Sequence, residues 1–175
     1  PANQEKYPAY VLFPQCPETA FWAYAKPTLN MKAEDTMPPI FQAVKEMIDK
    51  YLAYPDIDTQ RVYIMGLSMG GMATFDMVAR FPEIFAAAVP ICGAVDPSRL
   101  AATKGVNFRI FHGDADRVVP VICSRMAYKA LREADVDVEY YEFPGCDHAS
   151  WNPAFNRPDF MEWLFKQKKA KKYMK

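Results

Sequence analysis

The stretch Arg61-Val-Tyr-Ile-Met-Gly-Leu-Ser-Met-Gly-Gly71 decides how this chain is read. Arg61 to Met65 reads as a short strand, and Met69 to Arg80 as a helix that ends near Pro82. Ser68 therefore stands on a tight turn where a strand meets a helix, in the pattern G-x-S-x-G. Gly66 and Gly70 are expected to leave room for neighbouring backbone where any Cβ would clash, and Gly71 to permit close packing. Such a turn lifts a small hydroxyl out at the carboxyl end of a sheet, where open α/β sheets bind ligands. The free N–H groups and positive dipole end of the following helix point at the same spot. A serine that merely caps the helix is the plainer alternative. The strand before it and the helix after it favour the functional reading.

Outward from this turn, Ala9 to Phe13 (AYVLF) reads as a strand stopped by Pro14, followed by a Pro-rich, aromatic-rich loop through Asn30. Asp35 or Thr36 is placed to cap a helix, with Pro38 and Pro39 in its first turn. Ile40, Val44, Met47, Ile48, Tyr51 and Leu52 recur there at helical spacing, giving one buried face. Phe85 to Cys92 (FAAAVPIC) reads as a strand buried on both faces. Asn107 to His112 is another strand, and Val136 to Phe143 alternates like a strand near a sheet edge. A helix starts at Pro120, with Ala127, Ala130, Leu131 and Ala134 as its inner stripe. A closing helix, Asp159 to Lys168, turns Phe160, Trp163 and Leu164 inward. Strand and helix alternate throughout, which predicts one α/β domain over residues 1–175 with a mostly parallel, doubly wound sheet.

Composition narrows the function. With 175 residues, half of them hydrophobic, the chain can bury a core without disulfide or metal staples. Six lysines and no acid fall in Lys166 to Lys175, which reads as a solvated terminus and leaves the rest of the chain at net −6. An acidic body is the wrong footing for nucleic acid. No apolar run is long enough to span a membrane, and no leader peptide is visible in a chain that starts at Pro1. Cys16, Cys92, Cys123 and Cys146 form no C-x-x-C pair, so no zinc site is expected. They read as buried thiols or as one disulfide, and the compartment stays open, with a secreted or periplasmic setting slightly favoured. There is no G-x-G-x-x-G, P-loop or histidine cluster, so no cofactor and no metal is expected.

A serine hydroxyl needs a general base to act as a nucleophile. The chain has two histidines. His112 ends a strand in HGDAD, and His148 lies in the loop GCDHASW after the last strand. In a hydrolase of this topology the order is serine, acid, histidine. Only His148 leaves room for an acid in between. HGDADRVVP offers Asp114 and Asp116, both also plausible turn formers. Asp116 is the preferred acid, because Asp114 is close enough to the strand end to stabilise the turn. Asp135, Asp137 and Asp147 sit at a helix end, in a strand and in the base's own loop.

Taken together, GLSMGG, HGDADRVVP and DHASW, in this order, resemble the α/β-hydrolase esterases. More narrowly, PQCPETAFW, RVYIMGLSMGGMATFDMVARFPEIFAAAVPICG and EWLFKQKK are similar to bacterial carboxylesterases related to the dienelactone-hydrolase and prolyl-oligopeptidase-like group. The likeness runs from about Tyr10 to Lys168. It implies Ser68 as nucleophile, Asp116 as acid, His148 as base and the Met69 N–H as one oxyanion donor. It also implies a departure. Such esterases usually carry an HGxG-type loop upstream that supplies a second oxyanion N–H, and about three further strands. One of those strands would lie between Ala9–Phe13 and Arg61–Met65. The expectation is therefore a C-terminal part of the fold, completed by an upstream segment or an N-terminal domain of the same protein. A shortened fold that pairs the two strands directly is the alternative.

Trp22 and Trp151 lie in loops at the strands' carboxyl end and are candidates to wall the site, with core or rim packing as the plainer alternative. No cluster of Arg or Lys near the motifs suggests an anionic substrate, so a small neutral carboxylic ester, short in its acyl chain, is the expected partner. A serine peptidase of the prolyl-oligopeptidase-like type is the first rival, and a non-catalytic interaction module with the same fold is the second.

Overall fold

The run Ala87-Ala-Val-Pro-Ile91 is buried along its whole length. A strand that is apolar on both sides needs a cover on both sides, and the molecule is built around that need. The computed structural model describes residues 2–23, 32 and 34–169. In chain order its elements are α1 (Ala2–Lys6), α2 (Pro39–Leu52), β1 (Tyr63–Leu67), α3 (Met69–Arg80), β2 (Ala87–Ile91), β3 (Asn107–Gly113), α4 (Ile122–Glu133), β4 (Val138–Phe143), α5 (Trp151–Phe155) and α6 (Phe160–Lys166). A 3-10 turn covers Pro97–Thr103. The four strands are parallel and lie in the order β1-β2-β3-β4.

Side chains alternate between the two faces of a strand. Ala88 of β2 and Phe108 and Ile110 of β3 enter one core, with Phe75, Met77 and Val78 of α3 and Ala127 and Leu131 of α4. Phe41 anchors α2 to the same core. Ala87, Val89, Ile91 and Phe111 enter the other, against Ala154 of α5 and Phe160 and Leu164 of α6. Arg109 of β3 is also buried. Its guanidinium pairs with Glu139 at 2.7 Å and Asp159 at 3.1 Å and lies 4.4 Å over the Trp163 ring, so the charge is satisfied on both sides.

Most of the expected elements are present with shifted ends. The first sheet strand runs Tyr63–Leu67, two residues beyond the expected Arg61–Met65. The helix expected behind an Asp35 or Thr36 cap begins at Pro39 instead, with Pro38 in the cap position at ψ 142° and no side-chain cap. The cause is steric: a residue before proline is driven to extended ψ, and Pro39 at the first helical position has no N–H to satisfy. The Pro38 carbonyl accepts from both Phe41 and Gln42 N–H at 2.9 Å.

Ala9 to Phe13 is not a strand. Tyr10, Val11 and Phe13 are exposed, Phe13 at 89%, and Tyr10 instead bonds Asp56 through its hydroxyl. Apolar residues make a strand only where a neighbouring ladder accepts their backbone. This segment is bracketed by Pro8 and Pro14 and pairs with no strand in the sheet. The direct pairing with β1 that the shortened-fold alternative called for is absent, and β1 is a sheet edge among the described residues, with Met65 and Leu67 exposed.

Candidate functional site

The parallel sheet sends the chain out of all four strands at one edge, and the chemically distinctive residues gather there. Ser68 follows β1, Cys92 follows β2, Asp116 lies in the turn after β3, and His148 in the loop after β4. Ser68 has φ 54° and ψ −118°, a conformation that costs a non-glycine residue about 1–3 kcal/mol. The turn is pinned from the next strand, because the Ser68 N–H donates to the Ile91 carbonyl at 2.9 Å.

The glycines around the serine are not equivalent. A Cβ on Gly66 would lie 2.2 Å from the Gly70 carbonyl oxygen, so Gly66 must be bare for the turn to close. A Cβ on Gly71 would meet the Ile91 carbonyl oxygen at 2.6 Å, so this glycine lets α3 approach β2. Gly70, expected to need the same room, has nothing within 4 Å of the corresponding position. It is Gly70's backbone that needs Gly66 bare.

His148 joins the serine to an acid. Its Nδ1 lies 2.7 Å from Asp116 Oδ2, and its Nε2 lies 2.8 Å from Ser68 Oγ. A carboxylate can only accept, so Nδ1 carries the proton and Nε2 is left free to accept from the serine hydroxyl. A hydroxyl so placed can lose its proton to imidazole as the oxygen attacks, with the carboxylate stabilising the resulting imidazolium.

Asp116 is held on both oxygens. Oδ1 accepts from the Val118 and Val119 N–H groups at 2.8 and 2.9 Å. Burial pushes its pKa up, but the bonds from His148, Val119 and Val118 outweigh burial and leave it below the ordinary carboxylate value. Asp114 faces elsewhere: its Oδ1 accepts from the Gly145 N–H at 2.6 Å and it is exposed, the turn-stabilising part expected of it. The acid loop and the histidine loop are stitched together by the Ala115 N–H, which donates to the Cys146 carbonyl at 3.0 Å. At Gly113 the approach is so close that a Cβ would lie 2.2 Å from that same oxygen.

Met69 is the first residue of α3, so its N–H has no acceptor within the helix. Trp151 opens α5 and stands edge-on to the His148 ring, centroids 5.6 Å apart at 87°. Trp22 is placed differently. It is 8% exposed and packs in the core with its ring 6.3 Å from Phe41.

Two neighbours were not singled out by sequence reasoning. Cys92, at φ 41° and buried, has its thiol pushed up to about 11, chiefly by that burial. The Cys92, Asp116 and His148 ligand atoms lie within 4.8 Å of one another. Asp116 and His148 already use their facing atoms on each other, and we assign no metal to the group. All four cysteines are free thiols. The second neighbour is His112, fully buried, with Nε2 3.2 Å from Asp116 Oδ2. The only signal in the sequence is its place four residues before the acid.

Comparison with known proteins gives the chain a family and a fold. Residues 21–159 match the phospholipase/carboxylesterase family. A thermostable esterase of known structure superposes on 97% of this chain with a TM-score of 0.86 at 39% identity, and the match spans 47% of that esterase. Poly(3-hydroxyalkanoate) depolymerase C of Paucimonas lemoignei is 45% identical over 75 residues, which are 43% of this chain and 18% of the depolymerase. A probable carboxylesterase of Arabidopsis thaliana, SOBER1-like, is 26% identical over 151 residues, 83% of this chain and 54% of that protein. The chain thus spans about half the length of the thermostable esterase and of the plant relative, and less of the depolymerase. Its sheet is that of the α/β-hydrolase fold, and the chain belongs to the phospholipase/carboxylesterase family, with the dienelactone-hydrolase-like esterases.

Proposed function

We propose that this chain is the catalytic portion of a serine carboxylesterase that hydrolyses neutral, short-chain carboxylic esters through an acyl-enzyme. The observation that carries the reading is the unbroken relay from Ser68 Oγ through His148 to Asp116, at 2.8 and 2.7 Å. Ser68 Oγ attacks the ester carbonyl as its proton passes to His148 Nε2. The oxyanion draws on the Met69 N–H and the amino end of α3. His148 then returns the proton to the leaving alcohol. A water, deprotonated by the same nitrogen, attacks the acyl-serine and releases the acid. Asp116 stays ionised throughout and keeps the imidazole in the one useful tautomer.

Ester rather than amide chemistry is supported by the names of the relatives, which include a probable carboxylesterase, a poly(3-hydroxyalkanoate) depolymerase and a feruloyl esterase. Trp151 supplies an apolar wall beside His148 for an acyl or aromatic alcohol group. The motifs GLSMGG and GCDHASW carry no lysine or arginine, which favours a neutral substrate.

The test is intact mass before and after a fluorophosphonate, together with turnover of p-nitrophenyl esters of increasing acyl length. One adduct on Ser68, and a loss of turnover by about a thousandfold or more in Ser68→Ala and in His148→Ala, are the expected results. Wild-type protein that takes no adduct and turns over no ester would end the reading.

A further inference from the structure

We propose that His112 is a positioning residue of the Ser68–His148–Asp116 relay, a second imidazole donor that holds the acid's carboxylate in place. The inference rests on the esterase reading for its kinetic consequence but not for its geometry.

The proton on His112 can be located by elimination. Nε2 lies 2.9 Å from the Val119 carbonyl oxygen and 3.2 Å from Asp116 Oδ2. Both are acceptors, so Nε2 carries a proton and shares it between them. Nδ1 lies 2.7 Å from Ser124 Oγ. In a neutral ring that nitrogen has only a lone pair, so the Ser124 hydroxyl donates to it. Ser124 is itself buried on α4, which fixes the ring from the side away from the acid.

His112 therefore braces the turn at two points. It holds the carbonyl of Val119, whose N–H binds Oδ1, and it touches Oδ2, the oxygen that accepts from His148. Burial favours its neutral form, which keeps the donor a single N–H rather than a competing cation beside Asp116.

A consequence separates this role from mere packing. Two N–H groups share the negative charge of Oδ2. Removing the His112 donor leaves that charge to His148 alone, which stabilises its imidazolium and raises the pH at which His148 titrates. The titratable neighbours that could obscure the effect are few. Asp116 and Cys92 close on His148 from the β3 and β2 loops, and Glu142 of β4 and His148 itself act on His112. Asp147, in the histidine's own loop, is exposed and binds the Ala149 N–H.

The chain has two histidines, so ring-nitrogen NMR of labelled protein has two spin systems to follow. In the wild type, His112 is expected to carry its proton on Nε2 and to stay neutral to lower pH than an ordinary imidazole does. His112→Phe is expected to move the His148 titration, and the acid limb of kcat/KM with it, up by on the order of half a pH unit. The same variant is expected to lower kcat by about tenfold with KM little changed, the rate equivalent of one hydrogen bond to a charged group. His112→Gln, which keeps both a donor and an acceptor, is expected to restore most of both. A proton on Nδ1 of His112, or an unmoved His148 titration in a folded His112→Phe, would overturn the proposal. If the phenylalanine variant does not fold, the wild-type tautomer and the glutamine variant decide. Should wild type hydrolyse no ester while the His148 titration still shifts, the carboxylate link stands and it is the esterase reading that falls.

Discussion

Gly66→Ala and Gly70→Ala form a matched pair that tests how the serine turn is held. The two glycines are symmetric in the motif and unlike in space. On Gly66 a methyl carbon would sit 2.2 Å from the oxygen, 2.4 Å from the carbonyl carbon and 2.9 Å from the Cα of Gly70, whereas ordinary contact begins at 3.4 Å. Every clashing atom is backbone, so no side chain can swing aside and the turn must open by about 1 Å. Ser68 rides on that turn with an already strained φ of 54°. A displacement of that size at a nucleophile costs about a hundredfold in rate. Overpacking adds a stability loss of about 1–3 kcal/mol.

Gly70 behaves in the opposite way. Nothing lies within 4 Å of its missing Cβ, and it sits in the first turn of α3 without a positive φ. Alanine there lowers the entropy of the unfolded chain and is expected to raise stability by up to about 1 kcal/mol. Thermal melting and ester turnover on both variants make the comparison, at roughly 2–4 °C per kcal/mol for a chain of this size. Equal damage from the two substitutions, or full turnover in Gly66→Ala, would refute the reasoning.

Asp116→Asn is expected to lose turnover by about three to four orders of magnitude, since the amide cannot hold His148 in the right tautomer. Asp114→Asn should stay within a few fold because it touches only the Gly145 N–H, and the reverse pattern in steady-state rates would exchange their roles. Stability is expected to fall with acid in two stages. The folded pKa of His112 is lowered, so the unfolded chain binds a proton first, and the stability it contributes is complete above about pH 6.5 and lost below. The folded pKa of Asp116 is also lowered, so its contribution is complete above about pH 3.9 and lost as pH falls through the folded value. Melting temperature measured against pH checks both, and a His112→Gln variant that keeps the upper stage would count against the assignment.

What could be read from the sequence was what a local pattern or a scarcity of residue types determines. Met69 to Arg80 is punctuated at both ends, by the glycine turn and by Pro82, and α3 has those bounds. FAAAVPIC is apolar without alternation, and β2 is buried on both faces. With two histidines and a required order, His148 could be singled out by exclusion as the candidate base, and its Nε2 lies 2.8 Å from Ser68 Oγ. Ala9 to Phe13 looked just as apolar as β2. Apolarity says nothing about whether a ladder is there to receive a strand, and this segment lies exposed. Trp22 shows the same limit, since a loop tryptophan can turn to the site or to the core, and this one meets Phe41.

The acid turn shows why the remainder was out of reach. Asp116 could be preferred over Asp114 from Asp114's closeness to the strand end, but which carboxylate faces the histidine loop is decided by backbone approach rather than by residue type. Gly113 lets Cys146 come close, the Ala115 N–H binds the Cys146 carbonyl, and Asp116 then meets His148 while Asp114 is turned to Gly145. His112 stands in the same HGDAD stretch, but it precedes both candidate acids, so the serine–acid–histidine order passes it over. Its imidazole is nonetheless within 3.2 Å of the acid, because the turn from Asp116 to Val119 folds back over the strand end that carries it. A motif names the residues that perform chemistry, whereas the residues that hold them in register become visible only when the backbone has brought them together.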